Sequence, residues 1–174
     1  MKEKFDNLGR TAMSHAEMTI NARDDGEDLQ LMSAALDGQT ETVEALIRHG
    51  VDVNARTHEG RTALMFAVIN MHANTVQTLL RYGADVNAQS DAGFTPLILA
   101  ACSGNAGIAQ TLLNSGADIS KTLRSGQTAL SHAAEHGYSD IVELLKRAIT
   151  RAKDAKPEIV PYQSIDLKSV LTLP

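Results

Sequence analysis

The chain is poor in aromatic residues and in cysteine. It has no tryptophan, three phenylalanines and three tyrosines among 174 residues, so alanine and leucine must supply most of the core, as expected for an all-α stack. The single cysteine, Cys102, excludes an internal disulfide, which suits a reducing compartment without requiring one. The net charge of −5 argues against nucleic acid as the main partner.

Long apolar runs are absent as well. No window is long and apolar enough to cross a bilayer, and the opening stretch MKEKFDNLGR holds no apolar run that would indicate a signal peptide. We therefore expect a cytoplasmic protein without a membrane span. A leader that was removed earlier is the alternative that the sequence leaves open.

One stretch, residues 93–118, has every part of a self-contained structural unit. Thr95 can cap a helix that Pro96 begins, because proline at the first helical position loses only a donor that would be unpaired anyway. Gly104 and Gly116 would each end a helix in the left-handed conformation. Each helix is about ten residues long, too short to be stable alone in water, so the unit must stack on a neighbour.

The unit recurs at the interval of 33 residues that separates Gly60, Gly93 and Gly126. Four columns share this phase: helix-start threonines, first-helix leucines, stacking alanines and second-helix leucines. Their members are Thr62, Thr95 and Thr128; Leu31, Leu64, Leu97 and Leu130; Ala34, Ala67, Ala100 and Ala133; and Leu46, Leu79, Leu112 and Leu145. A fixed period of this length indicates a repeat architecture.

The motifs within this period resemble those of the ankyrin repeat family. TPLI at residues 95–98 is close to the family's T-P-L-H motif, and GADVNA at residues 83–88 matches its usual linker. The resemblance covers roughly residues 24–148. It implies an all-α solenoid of stacked helix-turn-helix units joined by short hairpin-like loops, which binds other proteins and has no catalytic residues or cofactor.

The period divides the chain into six parts. We expect an N-terminal capping half-repeat at 1–23, four repeats at 24–56, 57–89, 90–122 and 123–148, and an extended last helix with an apolar C-terminal extension at 149–174. The extension could fold back over the last helix pair, which we favour, or dock on a partner or fill the binding groove.

Three departures from the repeat pattern carry predictions. The first helix of the first repeat has no Thr-Pro pair at its start, and we expect Asp28 to cap it instead. Met71 occupies the slot of Gly38, Gly104 and Gly137, so a non-glycine residue must adopt positive φ there. Ile149 replaces a terminating glycine, so the last helix should run on towards Pro157.

Two features of the sequence could carry chemistry, and both have plainer readings. His132, Glu135 and His136 fit the H-x-x-E-H spacing of a zinc site, but the repeat frame already explains these positions and no third ligand is placed. Cys102 has no base placed to activate it. We therefore predict no catalytic, metal or cofactor residues.

A basic cluster near the end of the last repeat is read as a solvated helix end, where positive charge is favourable. An acidic partner or a lipid surface is the less favoured interpretation. The cluster consists of Lys146, Arg147, Arg151, Lys153 and Lys156.

The resemblance also implies where a partner would bind: on a concave face made of hairpin tips and the outward side of the first helices. Carried position by position, this predicts a binding set of Asp25, Asp28, Asp37, His58, Glu59, Arg61, Ile69, Asn70, Asp91, Phe94, Cys102, Ser103, Arg124, Gln127, Glu135 and His136. Phe94 and Arg61 are the hypothesised anchors, although Phe94 could instead pack on neighbouring tips. Asp25, Asp28 and Asp37 make one end acidic, which favours a basic patch on the partner.

The function predicted from these residues is a non-catalytic protein-binding module, such as an adaptor, an inhibitor or an immunity-type binder, most simply a monomer. The alternative is a bacterial effector or regulatory subunit that controls a partner enzyme.

Overall fold

The computed structural model describes residues 26–154, and this part of the chain contains eight helices. Their bounds are α1 Gly26–Leu36, α2 Thr40–Arg48, α3 Ala63–Ile69, α4 Ala73–Arg81, α5 Pro96–Cys102, α6 Ala106–Asn114, α7 Ala129–Glu135 and α8 Ser139–Asp154. The described residues contain no strand, only two isolated β-bridges, which join Arg56 to Thr62 and Thr122 to Thr128. The all-α class predicted from the repeat is confirmed.

The helices form two layers. The first helices of successive units, α1, α3, α5 and α7, pack side by side, and so do the second helices, α2, α4, α6 and α8. Within each unit the two helices also pack against each other. Each unit therefore relies mainly on its immediate neighbours, which is the quasi-one-dimensional arrangement of a solenoid.

The threonines in the helix-start slot behave differently from one another. The Ile98 backbone N–H donates to Thr95 Oγ1 at 3.2 Å, and Pro96 is the first helical residue, as predicted. Thr128 and Ser131 form a reciprocal capping box. Thr62 precedes α3 in the same extended conformation, but its buried Oγ1 has no hydrogen-bond partner among the described residues.

The turns between paired helices need positive φ. Gly38, Gly104 and Gly137 have φ of 71°, 70° and 72°, and Met71 has φ of 60° in the equivalent slot. Met71 is the one non-glycine residue with positive φ between residues 26 and 154, which confirms the predicted conformation. L-residues lose about 1–2 kcal/mol in this region, so the turn after α3 is strained.

The core lies between the two layers and between neighbouring units. Leu79 and Leu112 are fully buried, as are the stacking alanines Ala67, Ala100 and Ala133. Small side chains in the first-helix layer let the helices approach closely, while leucines from the second helices fill the remaining space. The core therefore runs continuously along the stack.

Two of the departures from the pattern are now decided. Asp28 is not the residue that precedes α1; it is the third residue of Gly26–Leu36 and lies in the first turn, where a carboxylate is favoured by the helix dipole. The last helix does run on, because α8 continues through Ile149 to Asp154, with Lys146 exposed. The predicted half-repeat at 1–23 and the extension at 157–174 lie outside the described residues.

Candidate binding face

Three hairpin tips project between successive units, at residues 57–61, 90–94 and 123–127. Each is closed by the same backbone pair, for example the Ser90 N–H donating to the Phe94 carbonyl at 2.9 Å and the Gly93 N–H donating to the Ser90 carbonyl at 2.8 Å. The tight turn explains the recurrent glycine. Gly93 has φ of 89°, and a Cβ there would lie 3.0 Å from the Cα of Leu123 in the next tip.

The tips are tied to one another by backbone hydrogen bonds. The Asp91 N–H donates to the Glu59 carbonyl at 2.9 Å, and the Arg124 N–H donates to the Ala92 carbonyl at 3.3 Å. Arg56 reinforces the first junction, since its guanidinium donates to the Gln89 carbonyl. Because the Asp91–Glu59 and Arg124–Ala92 bonds join backbone groups, the three tips form one edge that is ordered mainly by the backbone.

The tip and first-helix residues predicted to contact a partner divide by exposure. Seven are exposed: Asp37, His58, Glu59, Asn70, Asp91, Arg124 and Glu135. Eight are half-buried: Asp28, Arg61, Ile69, Phe94, Cys102, Ser103, Gln127 and His136. Asp25 lies outside the described residues. The structure therefore leaves surface area on every described member of the set.

The two hypothesised anchors are both partly engaged within the chain. Arg61 forms an ion pair with Glu59 at 3.1 Å. Phe94 packs against the core cluster while its backbone pairs with Ser90, so part of its ring serves the scaffold. Both side chains stand on a tip, and each retains some exposed surface for a ligand.

The last tip is connected to its first helix by side chains. Gln127 Nε2 donates to Glu135 Oε2 at 3.2 Å, across the end of α7. Beside it, the His136 ring lies between two others, 6.1 Å from the His132 ring centroid and 5.9 Å from that of Tyr138. The end of α7 therefore presents polar and aromatic side chains, of which Glu135 is exposed and Gln127, His136 and Tyr138 are half-buried.

The H-x-x-E-H spacing does not bring a set of metal ligands together. His132 is buried, and burial lowers the pKa of its imidazole. His136 Nδ1 is 2.7 Å from the His132 carbonyl oxygen, to which it can donate. Within residues 26–154, no three His, Cys, Asp or Glu side chains are grouped so that they could hold a metal ion.

Cys102 is a half-buried thiol at the end of α5. Burial raises its pKa to about 11, and the negative charge of Glu135 acts in the same direction. A thiol with this pKa is protonated at neutral pH, whereas a nucleophilic cysteine needs a depressed pKa. Cys102 can therefore offer a partner a small apolar contact.

One exposed apolar residue next to the predicted set was not chosen from the sequence. Met71 follows Ile69 and Asn70 directly and is 46 % exposed. The sequence marks it only as a misfit in a glycine slot. Its exposure depends on how far the neighbouring unit covers the turn, and the 33-residue spacing alone does not predict that coverage.

Comparison with known proteins agrees with this architecture. The family model for ankyrin repeats (three copies) matches residues 11–90, 31–123 and 89–156, well over half of the chain. No curated protein matches the chain. Ankyrin repeats generally mediate protein–protein interaction, and the family is typically non-catalytic. In the part of the chain that the structure describes, no helix is long and apolar enough to cross a membrane. The chain belongs to the ankyrin repeat family.

Proposed function

We propose that this protein is a non-catalytic binding module that holds one partner protein against the face formed by its hairpin tips and first helices. The observation that carries the proposal is the continuous edge made by the three tips, fixed by the Asp91–Glu59 and Arg124–Ala92 backbone hydrogen bonds. A surface ordered before binding loses little conformational entropy when a partner arrives, so its contacts contribute more fully to affinity. The module would act by occlusion or tethering, as an adaptor, an inhibitor or an immunity-type binder does.

The charges on this face favour a partner with a basic patch. The described members of the set include five carboxylates, Asp28, Asp37, Glu59, Asp91 and Glu135, against two guanidinium groups, Arg61 and Arg124. Complementary charge mainly accelerates association and excludes wrong partners. Binding should therefore weaken as salt is added, because exposed charges are screened within about 8–10 Å at physiological ionic strength.

The test begins with a partner that co-purifies from the native source. We expect Phe94→Ala and Arg61→Ala each to weaken its binding about fivefold or more, as truncation of an interface anchor does. Because Phe94 also packs on the core, the melting temperature of each variant is measured alongside its affinity.

Arg147→Ala provides the matched control. Arg147 is an exposed arginine on α8, in the second-helix layer, and it pairs with Glu143 at 2.9 Å much as Arg61 pairs with Glu59. We expect it to leave the affinity unchanged. If Arg147→Ala weakens binding while Phe94→Ala and Arg61→Ala do not, the basic helix α8 is the interface and the proposal is wrong.

A further inference from the structure

Two unusual properties coincide at Met71. It is the one exposed large hydrophobic side chain among residues 26–154, with 46 % of its surface accessible, and it is also the one non-glycine residue there with positive φ. Residues held in sparsely populated backbone conformations cluster at functional positions, where the strain is retained for a purpose. The three equivalent turns have glycine at this position and avoid the strain, so the side chain at position 71 needs an explanation.

Met71 follows an apolar strip on the first-helix layer. Leu36, Ile69 and Cys102 occupy the same slot in successive units, near the ends of helices that pack side by side, and all three are half-buried. Met71 comes two residues after Ile69, on the turn that leaves the layer. Its side chain is exposed, whereas those of the three strip residues are half-buried.

One acidic and two uncharged polar residues border this strip. The slot after the strip residues holds Asp37, Asn70 and Ser103, of which Asp37 and Asn70 are exposed. A ligand that covers the strip would place its own flanking groups beside the Asp37 carboxylate. Charge complementarity at that border favours a lysine or an arginine.

We propose that Met71 is an apolar anchor of the binding face, and that it receives a partner segment in which an apolar side chain stands next to a lysine or an arginine. This proposal rests on the proposed function and narrows the partner's chemistry. A methionine suits the role because its unbranched thioether adapts its shape to the contacting surface. A mere sequence defect would behave differently, since glycine at position 71 would then relieve the strain without any loss of binding.

The experiment uses a random peptide library displayed on phage, selected on the full chain. Enriched peptides are synthesised, and their affinities are measured for the full chain and for the variants Met71→Gly, Met71→Leu and Phe94→Ala. We expect enriched sequences that carry an apolar residue beside Lys or Arg. Met71→Gly should bind them about tenfold more weakly while its melting temperature rises, and Met71→Leu should retain the affinity within about threefold.

The other outcomes would contradict the Met71 anchor, the partner chemistry or the proposed function. Equal binding to the full chain and Met71→Gly, together with loss of binding in Phe94→Ala, overturns the Met71 anchor and leaves the proposed function standing. Enriched peptides that prefer acidic residues overturn the partner chemistry. Enrichment of no peptide, or of peptides that bind all three variants as well as the full chain, counts against the Met71 anchor and against the proposed face together.

Discussion

At the scale of single residues, Met71 is the clearest conflict between side chain and backbone. Replacing it with glycine removes an unfavourable φ of 60° that costs about 1–2 kcal/mol. Glycine also makes the unfolded chain more flexible, which destabilises the folded state by about 0.4–1 kcal/mol. We therefore expect Met71→Gly to raise the free energy of unfolding by about 0.5–1 kcal/mol in urea titration. A decrease would mean that the methionine side chain packs more tightly than its exposure indicates.

Thr62 and Thr95 allow a matched comparison, because both precede a first helix and both are buried. Thr95→Val removes a side-chain cap and should cost about 1 kcal/mol. Thr62→Val removes an Oγ1 that accepts no capping hydrogen bond. The free energy of unfolding should therefore fall by less than in Thr95→Val, or rise. Equal losses in the two urea titrations would show that Thr62 caps α3 in solution.

The raised pKa of Cys102 predicts how its thiol reacts. With a folded pKa of about 11 against an ordinary 9.0, its thiolate at pH 8 is about a hundredfold scarcer than in the unfolded chain, and iodoacetamide should modify the folded protein correspondingly slowly. The same shift means that the contribution of the neutral thiol to stability is present below pH 9.0 and is lost as the pH rises through about 11.

The control for this thiol prediction is Glu135→Gln. It removes the second cause of the raised pKa and should accelerate the reaction modestly. A folded chain that reacts as fast as the unfolded one would contradict the burial of Cys102.

At the scale of helices, the second-helix leucines test how much each layer contributes. Leu79 in α4 and Leu112 in α6 are fully buried between neighbouring units, so Leu79→Ala and Leu112→Ala should each cost about 2–5 kcal/mol. Leu113→Ala, in the same helix as Leu112 but half-buried, is the control and should cost clearly less. Similar losses for Leu112 and Leu113 in urea titration would rule out this two-layer account.

The start or end of a helix could be predicted from the sequence where the residue that causes it acts on the adjacent backbone. Thr95-Pro96 and the turn glycines occupy fixed slots and act on adjacent backbone, so the period was enough to place helix starts and ends. The cap assigned to Asp28 failed because helix caps and first turns both favour aspartate, and a sequence without the Thr-Pro pair does not distinguish them.

The side chains of the candidate binding face were less predictable than the helices. The pairing of Arg61 with Glu59 depends on side-chain rotamers, and the sequence contains no signal for it. The exposure of Met71 depends on the following unit. At the equivalent turn one unit earlier, a Cβ at Gly38 would lie 2.5 Å from the ring of His72 in the next unit. In the unit that follows Met71, Asn105 stands in the position equivalent to His72, so no ring is present there.

At the scale of the whole molecule, the last unit differs from those inside the stack. Leu64 and Leu97 are buried between two neighbours, and the equivalent Leu130 in α7 is only half-buried. Val142 in α8 is likewise half-buried, although Val76 in the same slot is fully buried. In a solenoid whose units stabilise their neighbours, an incompletely covered end is where unfolding should begin.

The chain after α8 is long and apolar enough in sequence to pack on Leu130 and Val142. The segment 157–174 carries Ile159, Val160, Ile165, Leu167, Val170, Leu171 and Leu173, a composition too apolar for a free tail. If it packs on the end of the stack, deleting it should lower the melting temperature and accelerate amide exchange in α7 and α8 more than in α3 to α6. Ser164→Ala with Ser169→Ala is the control for sequence change alone. An unchanged melting curve with lost partner binding would assign the segment to the interface, because a tail that holds a partner need not stabilise the stack.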